Sequence, residues 1–176
     1  NIDWKTDGTS FCINGNKTFL RGKHDACVFP LTGYAPMDKE SWIKVFRIAK
    51  EYGINHYRFH SWTPPRAAFE AADIVGMYLQ PEMPYWGSIT KENDSLNTFL
   101  RNEGLLILDE FGNHASFVMM AHGNELRGSD SIMMAWTKEF REKDPRHLYA
   151  YGSNNNLGWA GQKAGEDYFT TCRVGG

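Results

Sequence analysis

The sequence predicts an α/β fold, a parallel sheet with helical crossovers, and three observations lead there. Apolar runs of strand length alternate with segments of helical periodicity, Gly and Pro punctuate the junctions, and polar residues gather at the same end of each strand. Residues 11–20 read as a β-hairpin, because two apolar runs flank Asn14-Gly15-Asn16 and Asn-Gly is the preferred pair of a type I′ turn. Arg21-Gly22-Lys23-His24-Asp25 extends its second strand. After a loop holding Pro30, Gly33 and Pro36, Asp38 caps a helix with the apolar face Trp42, Val45, Phe46, Ala49 and Tyr52, and Gly53 stops it. Residues 54–62 form the next strand. Pro64-Pro65 open a helix through Ala68, Ala71, Ala72 and Val75 that Gly76 closes. Residues 77–81 give a short third strand. Ser95 caps a longer helix through Leu96, Phe99, Leu100, Ile107 and Phe111, with Gly104 inside it and Gly112 at its end. Residues 115–121 are a fourth strand, residues 130–143 a fourth helix ended by Asp144-Pro145, and residues 148–151 a fifth strand.

Length and composition bound what such a chain can do. The 176 residues suffice for one domain with a sizeable core but fall short of the ~250 typical of a complete (β/α)8 barrel. A net charge of -2 gives no electrostatic case for nucleic acid or an anionic membrane, and no run of 18 apolar residues spans a bilayer. Aromatic residues reach 14%, with six Trp and eight Tyr. Most such rings belong to a core, and any surplus suits flat apolar ligand faces, sugars included. The start Asn1-Ile2-Asp3-Trp4 carries no initiator Met and no basic or apolar leader, so a targeting peptide is expected to be removed or never to have belonged to this segment. Cys12, Cys27 and Cys172 are odd in number and lack metal-type spacing, which argues against a disulfide framework.

The chemistry is expected at the C-terminal strand ends, where parallel α/β folds keep it. Strand one ends in His24-Asp25, strand two in Arg58-Phe59-His60-Ser61-Trp62, strand three in Glu82 near Trp86, strand four in Asn124-Glu125 and strand five in Ser153-Asn154. Any one of these has a bland reading as a cap or a satisfied structural group. Five polar ends on one rim favour a catalytic mouth, since each would otherwise be a separately buried polar group. A carboxylate at the end of the apolar run 115–121 can serve as a proton donor, and an adjacent Asn offers both donor and acceptor to a hydroxyl. A metal-dependent hydrolase using His24, His56, His60, His114 or His122 is the alternative by residue type. Against it, there is no His-x-His pair, and strand spacing puts His56 and His60 ~13 Å apart.

With these residues in place, the chain resembles the catalytic (β/α)8 TIM barrel of glycoside hydrolase family 2, the β-galactosidases, β-glucuronidases and β-mannosidases. Phe19-Leu20-Arg21-Gly22 resembles the lead into that barrel. Arg58-Phe59-His60-Ser61-Trp62-Thr63-Pro64 resembles the strand-two pattern, with Ser61-Trp62 where a His-Tyr type sequence is commoner. Gly123-Asn124-Glu125 resembles the Asn-Glu pair of strand four. The resemblance implies that residues 1–20 are a linker and hairpin and residues 21–176 the N-terminal part of the barrel, about strands one to six. It implies a retaining exo-acting β-glycosidase with Glu125 as general acid/base and Asn124 on the sugar 2-hydroxyl. Arg58, His60, Glu82, Trp86, His24, Asp25 and Trp62 would contact substrate, with Arg58 orienting a substrate carboxylate.

A retaining mechanism needs a second carboxylate ~5–5.5 Å from the first, and in this family it is a strand-seven Glu. The resemblance therefore implies a nucleophile beyond the chain, with Asp25, Glu166 and Asp167 as weaker candidates within it. The partner is a carbohydrate; no cofactor, nucleic acid or membrane is expected, and a periplasmic or secreted location is favoured. An uncovered barrel interior and open sheet edges would drive self-association or pairing with further domains. A non-catalytic carbohydrate-binding or assembly role is the alternative function.

Overall fold

The computed structural model describes residues 2–153 and 162–170. Strands β1 (Trp4–Asp7), β2 (Ser10–Ile13) and β3 (Asn16–Thr18) form an antiparallel sheet in that order. The β2–β3 turn is the expected one: Ile13 pairs with Asn16, and Asn14 and Gly15 take φ of 50° and 80°, both positive as type I′ requires. β1 is an addition to the expectation. Of its residues only Trp4 is buried, and exposed Lys5-Thr6-Asp7 gives no alternation to announce a strand.

β4 (Gly22–Asp25) does not continue the hairpin strand, contrary to expectation. Asn55 redirects the chain between them: its Nδ2 donates to the Phe19 carbonyl at 3.0 Å and its Oδ1 accepts from the Arg21 N–H at 2.7 Å. Downstream the order is α1 (Lys39–Glu51), β5 (His56–Phe59), α2 (Arg66–Val75), β6 (Tyr78–Gln80), β7 (Ser88–Ile89), α3 (Asp94–Phe111), β8 (Met119–Ala121), β9 (Arg127–Gly128), α4 (Asp130–Lys143) and β10 (Leu148–Ala150). β4, β5 and β6 pair in parallel, with Gly22 opposite His56 and His56 opposite Tyr78. β8 and β10 pair in parallel from Met119 opposite Leu148, and bridges Leu79 to Phe117 and Glu82 to Ala121 join β6 to β8. Five parallel strands thus stand in chain order, and a further parallel bridge ties Ser153 to Thr170. Among the described residues this sheet does not close into a barrel.

The helices follow their caps. The Asp38 side chain accepts from Ser41 N–H at the start of α1, Ser129 does the same for α4 from Ile132 N–H, and Gly76 closes α2 at φ 78°. Two details depart from expectation. The cap of α3 is Asn93, whose side chain accepts from Leu96 N–H, so Ser95 lies inside the first turn. Tyr52 is 83% exposed because it stands beyond the last helical turn, and Ile43 is buried on the α1 core face instead.

Alternation along the strands sorts the core into two layers. Tyr57, Phe59, Leu79, Phe117, Met120 and Tyr149 face the helices, against Trp42, Phe46, Phe69, Leu100 and Phe140. Val118, Met119, Leu148 and Ala150 belong to a separate cluster that Trp4 and Tyr168 complete. The Trp4 ring packs 5.3 Å from Tyr78 and stacks 5.6 Å from Phe11, so the antiparallel sheet covers the starts of the parallel strands. The inner face of β8 and β10, expected to be uncovered, is buried by these rings.

Two of the three buried histidines among the described residues sit on opposite sides of the sheet. His122 lies among the rings of Trp136, Phe140 and Tyr151, with Nε2 against Thr137 Oγ1 and no hydrogen-bond partner for Nδ1. His56 lies inside the curve of the strands, and its Nε2 also lacks a partner. Burial pushes both down to about 4.

Two predictions follow from this packing. A histidine whose folded pKa lies below its unfolded one leaves stability intact above about pH 6.5 and withdraws it as pH falls toward 4, because the unfolded chain takes up the proton first. Urea unfolding at pH 5 should therefore show a loss of about 2 kcal/mol per histidine relative to pH 7.5, and His122→Asn should flatten the dependence; an unchanged slope would mean that His122 takes up its proton in the folded state. The second concerns Gly104, where α3 meets α4: a Cβ there would overlap the Phe140 ring and approach Met83 Sδ to 2.9 Å. Overpacking of about 1–3 kcal/mol outweighs the roughly 1 kcal/mol gained in helix propensity. Gly104→Ala should thus lower the urea midpoint, and a raised midpoint would show that the helices separate freely.

Candidate active site

With Tyr57 and Phe59 committed to the helix-facing core, Arg58 projects to the other side of β5. It meets Glu82, which follows β6 and is 0% exposed. Arg58 Nε donates to Glu82 Oε1 at 2.7 Å and Nη2 to Oε2 at 3.3 Å. Glu82 also accepts from Ser61 N–H at 2.8 Å and from the Ser153 hydroxyl, which in turn accepts from Gln80 Nε2 at 3.3 Å. The same Arg58 Nη2 donates to Asn124 Oδ1 at 2.6 Å. This turns the amide NH2 of Asn124 away from the guanidinium. One ion pair thereby ties together the ends of β5, β6 and β8 and residue 153 beyond β10.

Glu125 follows Asn124 in the left-handed region, at φ 49°, and its N–H donates to Ser153 O at 2.8 Å. Of the four non-glycine residues with positive φ among the described residues, three stand just past parallel strand ends: Cys27 at 58°, Ser61 at 55° and Glu125. Strained backbone of this kind persists where surrounding structure over-determines it, and it concentrates at functional sites. The surroundings are visible for Glu125. β7 and β9 form a short parallel ladder, flanked by Asn124 N–H on Tyr85 O at 3.1 Å, Arg127 N–H on Gly87 O at 3.0 Å and Ser129 N–H on Ile89 O at 2.8 Å. A side chain at Gly123 (φ 148°) would strike Tyr85 O, and one at Gly128 (φ 101°) would strike Ile89 O, so the ladder needs both glycines.

The remaining rim residues divide by exposure. His24, His60 and Trp86 form a row of edge-to-face rings, with centroids 5.0 Å apart at each step. Desolvation first, then Arg58 and His60, hold the His24 imidazole below its usual range. Trp86 is 60% exposed. Asp25 instead is buried: it accepts from Cys27 N–H at 3.0 Å and Lys23 Nζ at 3.2 Å, and its carbonyl accepts from Trp62 Nε1. The Trp62 ring packs against Phe29, Trp42 and Phe59.

The structure engages several of the expected contact residues within the protein: Glu82 is fully buried with both oxygens hydrogen-bonded, the Arg58 fork lies on Glu82 and Asn124, Asp25 braces its own loop, and the partly buried Trp62 packs against the core. Glu166 and Asp167 lie below the mouth, accepting from the backbone N–H groups of Tyr151 and Tyr149. Asn154 and Cys172 lie outside the described residues. Of the histidines weighed as metal ligands, His24 and His60 adjoin, but His122 faces α4, His114 holds Asp73 at 2.7 Å, and among the described residues no group of three or more His, Cys, Asp or Glu is placed to hold a metal ion. Gln80 and the β7–β9 ladder were missed. The only sequence signals for them were a polar residue in an apolar strand and two glycines bracketing Asn124-Glu125.

No family model and no curated protein matches the chain. Solved structures do match. An FMN-binding β-glucuronidase from Facaelibacterium prausnitzii is 19% identical over 98% of this chain and 28% of its own, with a TM-score of 0.78. A β-glucuronidase from Parabacteroides merdae is 22% identical over 85% of this chain and 20% of its own, at 0.66. A β-galacturonidase of glycoside hydrolase family 2 from Eisenbergiella tayi is 16% identical over 89% of this chain and 29% of its own, at 0.73. The chain thus spans under a third of the length of these enzymes, and over that stretch it has the fold of glycoside hydrolase family 2 β-glucuronidases and a β-galacturonidase.

Proposed function

We propose that the chain is the N-terminal part, from residue 21 on, of a (β/α)8 barrel in a retaining exo-acting β-glycosidase, with residues 1–20 leading into it. Glu125 is the general acid/base: it protonates the glycosidic oxygen as the bond breaks and later takes a proton from the attacking water. Asn124 binds the sugar hydroxyl next to the reacting carbon. The observation that carries this reading is the Asn124-Glu125 pair at a parallel strand end, its Asn oriented by a buried ion pair and its Glu held at a backbone angle that non-glycine residues rarely adopt.

The second carboxylate is supplied from outside the described residues. Asp25, Glu82, Glu166 and Asp167 are each held by hydrogen bonds within the protein, and we assign none of them that role. Further domains or self-association complete the site, through the outer edge of β4, which has no second strand neighbour among the described residues. The named neighbours make aryl β-glucuronides and β-galacturonides the first substrates to assay. Arg58 and Glu82 act as positioning residues for Asn124 and do not bind the sugar's carboxylate.

Two variants test the assignment in the intact protein. Glu125→Gln should lower kcat on glycosides of poor leaving groups by ~10²–10⁴ and on activated aryl glycosides far less, since the latter need little protonation. Equal losses on both would remove Glu125 from the acid role. Glu82→Gln leaves the Arg58 charge without its partner and should lower the unfolding free energy by about 3 kcal/mol in urea titrations. A stability unchanged within 0.5 kcal/mol, a threshold on the order of ordinary surface effects, would show that Glu82 is not what holds the strand ends together.

A further inference from the structure

Trp86 is a large ring left 60% exposed on a rim where a second tryptophan, Trp62, is packed inward. Its backbone is not free to drift. The neighbouring carbonyls of Tyr85 and Gly87 hold the N–H groups of Asn124 and Arg127, and the β7–β9 register of Ser88 with Arg127 and Ile89 with Gly128, carried back two residues, brings residue 86 beside Glu125. The indole is braced from the other side by the His60 ring, edge to face at 5.0 Å, and His60 by His24. A solvent-facing indole on backbone paired beside that of Glu125 has little use in the core. It has one in binding, because the flat apolar face of a ligand group gains contact area there at little entropic cost.

We propose that Trp86 is the stacking platform for the leaving group, on the side of the scissile bond that Glu125 protonates. This rests on Glu125 being the acid/base, since the group that receives its proton is the one that passes beside it. The ligand chemistry is a leaving group with a flat, apolar face: an aromatic aglycone, or the apolar face of a second pyranose. Trp86 thereby sets preference among leaving groups without touching the sugar that is released.

The test is binding to Glu125→Gln protein, in which turnover is suppressed, with and without Trp86→Ala. Isothermal titration uses matched phenyl and methyl β-glycosides of glucuronic acid, galacturonic acid, galactose and mannose, together with the corresponding β-linked disaccharides. For the sugar that binds, Trp86→Ala should weaken the phenyl glycoside about tenfold and leave the methyl glycoside within about twofold, while Trp86→Phe retains most of the phenyl affinity. A disaccharide weakened alongside the phenyl glycoside assigns the platform to a sugar face as well; a disaccharide unaffected assigns it to aromatic aglycones. Phenyl and methyl glycosides weakened alike, or a phenyl glycoside bound unchanged, would overturn the platform and leave the role of Glu125 standing. No binding of any glycoside by folded protein would overturn the glycosidase reading, and this inference with it. The urea midpoint of Trp86→Ala serves as the folding control, and it should stay close to that of the parent because the ring is mostly solvated.

Discussion

The structure turns on a carboxylate that has no access to water. Glu82 is desolvated completely, and an ionised carboxylate in that position is tolerable only if it is paired and its lone pairs are filled. Arg58, Ser61 N–H and the Ser153 hydroxyl do this from two other strand ends, those of β5 and β10. The consequence is geometric more than energetic. Because each donor must arrive at a hydrogen-bonding distance, the ends of β5, β6 and β10 are held in one arrangement, and Asn124 is drawn in by the spare reach of the same guanidinium. A hydrophobic group of similar volume could fill the space, but it would fix no orientation.

A second constraint works on the backbone. Glu125 takes a left-handed angle because both its flanks are tied: Ser153 O receives its N–H on one side, and the β7–β9 ladder holds residues 124 and 127 on the other. Gly123 and Gly128 allow the two loops to approach to backbone contact. The loop after β6 and the loop after β8 are therefore one mechanical unit, and Trp86 and Glu125 ride on it together.

The sequence made the helices legible because their ends are written in single residues: Asp38, Gly53 and Gly76 each act locally. The parallel strands were legible as apolar runs, and their polar ends as a rim. What escaped was decided by partners distant in sequence. β1 is a strand because its backbone pairs with β2, not because Lys5-Thr6-Asp7 alternates, and β3 stops because Asn55 intercepts the chain. The same limit applies at the site. Residue type suggested that Arg58 and Glu82 face a ligand; that each is also the other's partner was not legible, because no spacing pattern reveals that two strand-end residues of opposite charge point at one another. Asn124, Glu125, His60 and Trp86 were legible as rim residues because consecutive polar strand ends fall on one side of a parallel sheet.

The clasp of Asn55 on residues 19 and 21 bears on the order in which the chain can organise during synthesis. The antiparallel sheet is made first and has only local contacts, yet the turn that aims it at the parallel strands waits for a side chain 34 positions later. Its packing surface waits longer still, since Trp4 and Phe11 rest on Val118, Leu148 and Tyr168. At a synthesis rate of roughly 5–20 residues per second, the N-terminal sheet spends several seconds without the rings it will cover. The antiparallel sheet is thus made before the strands it covers yet is among the last of the described elements to dock, and it seals the base of those strands only after the residues of the site have been made.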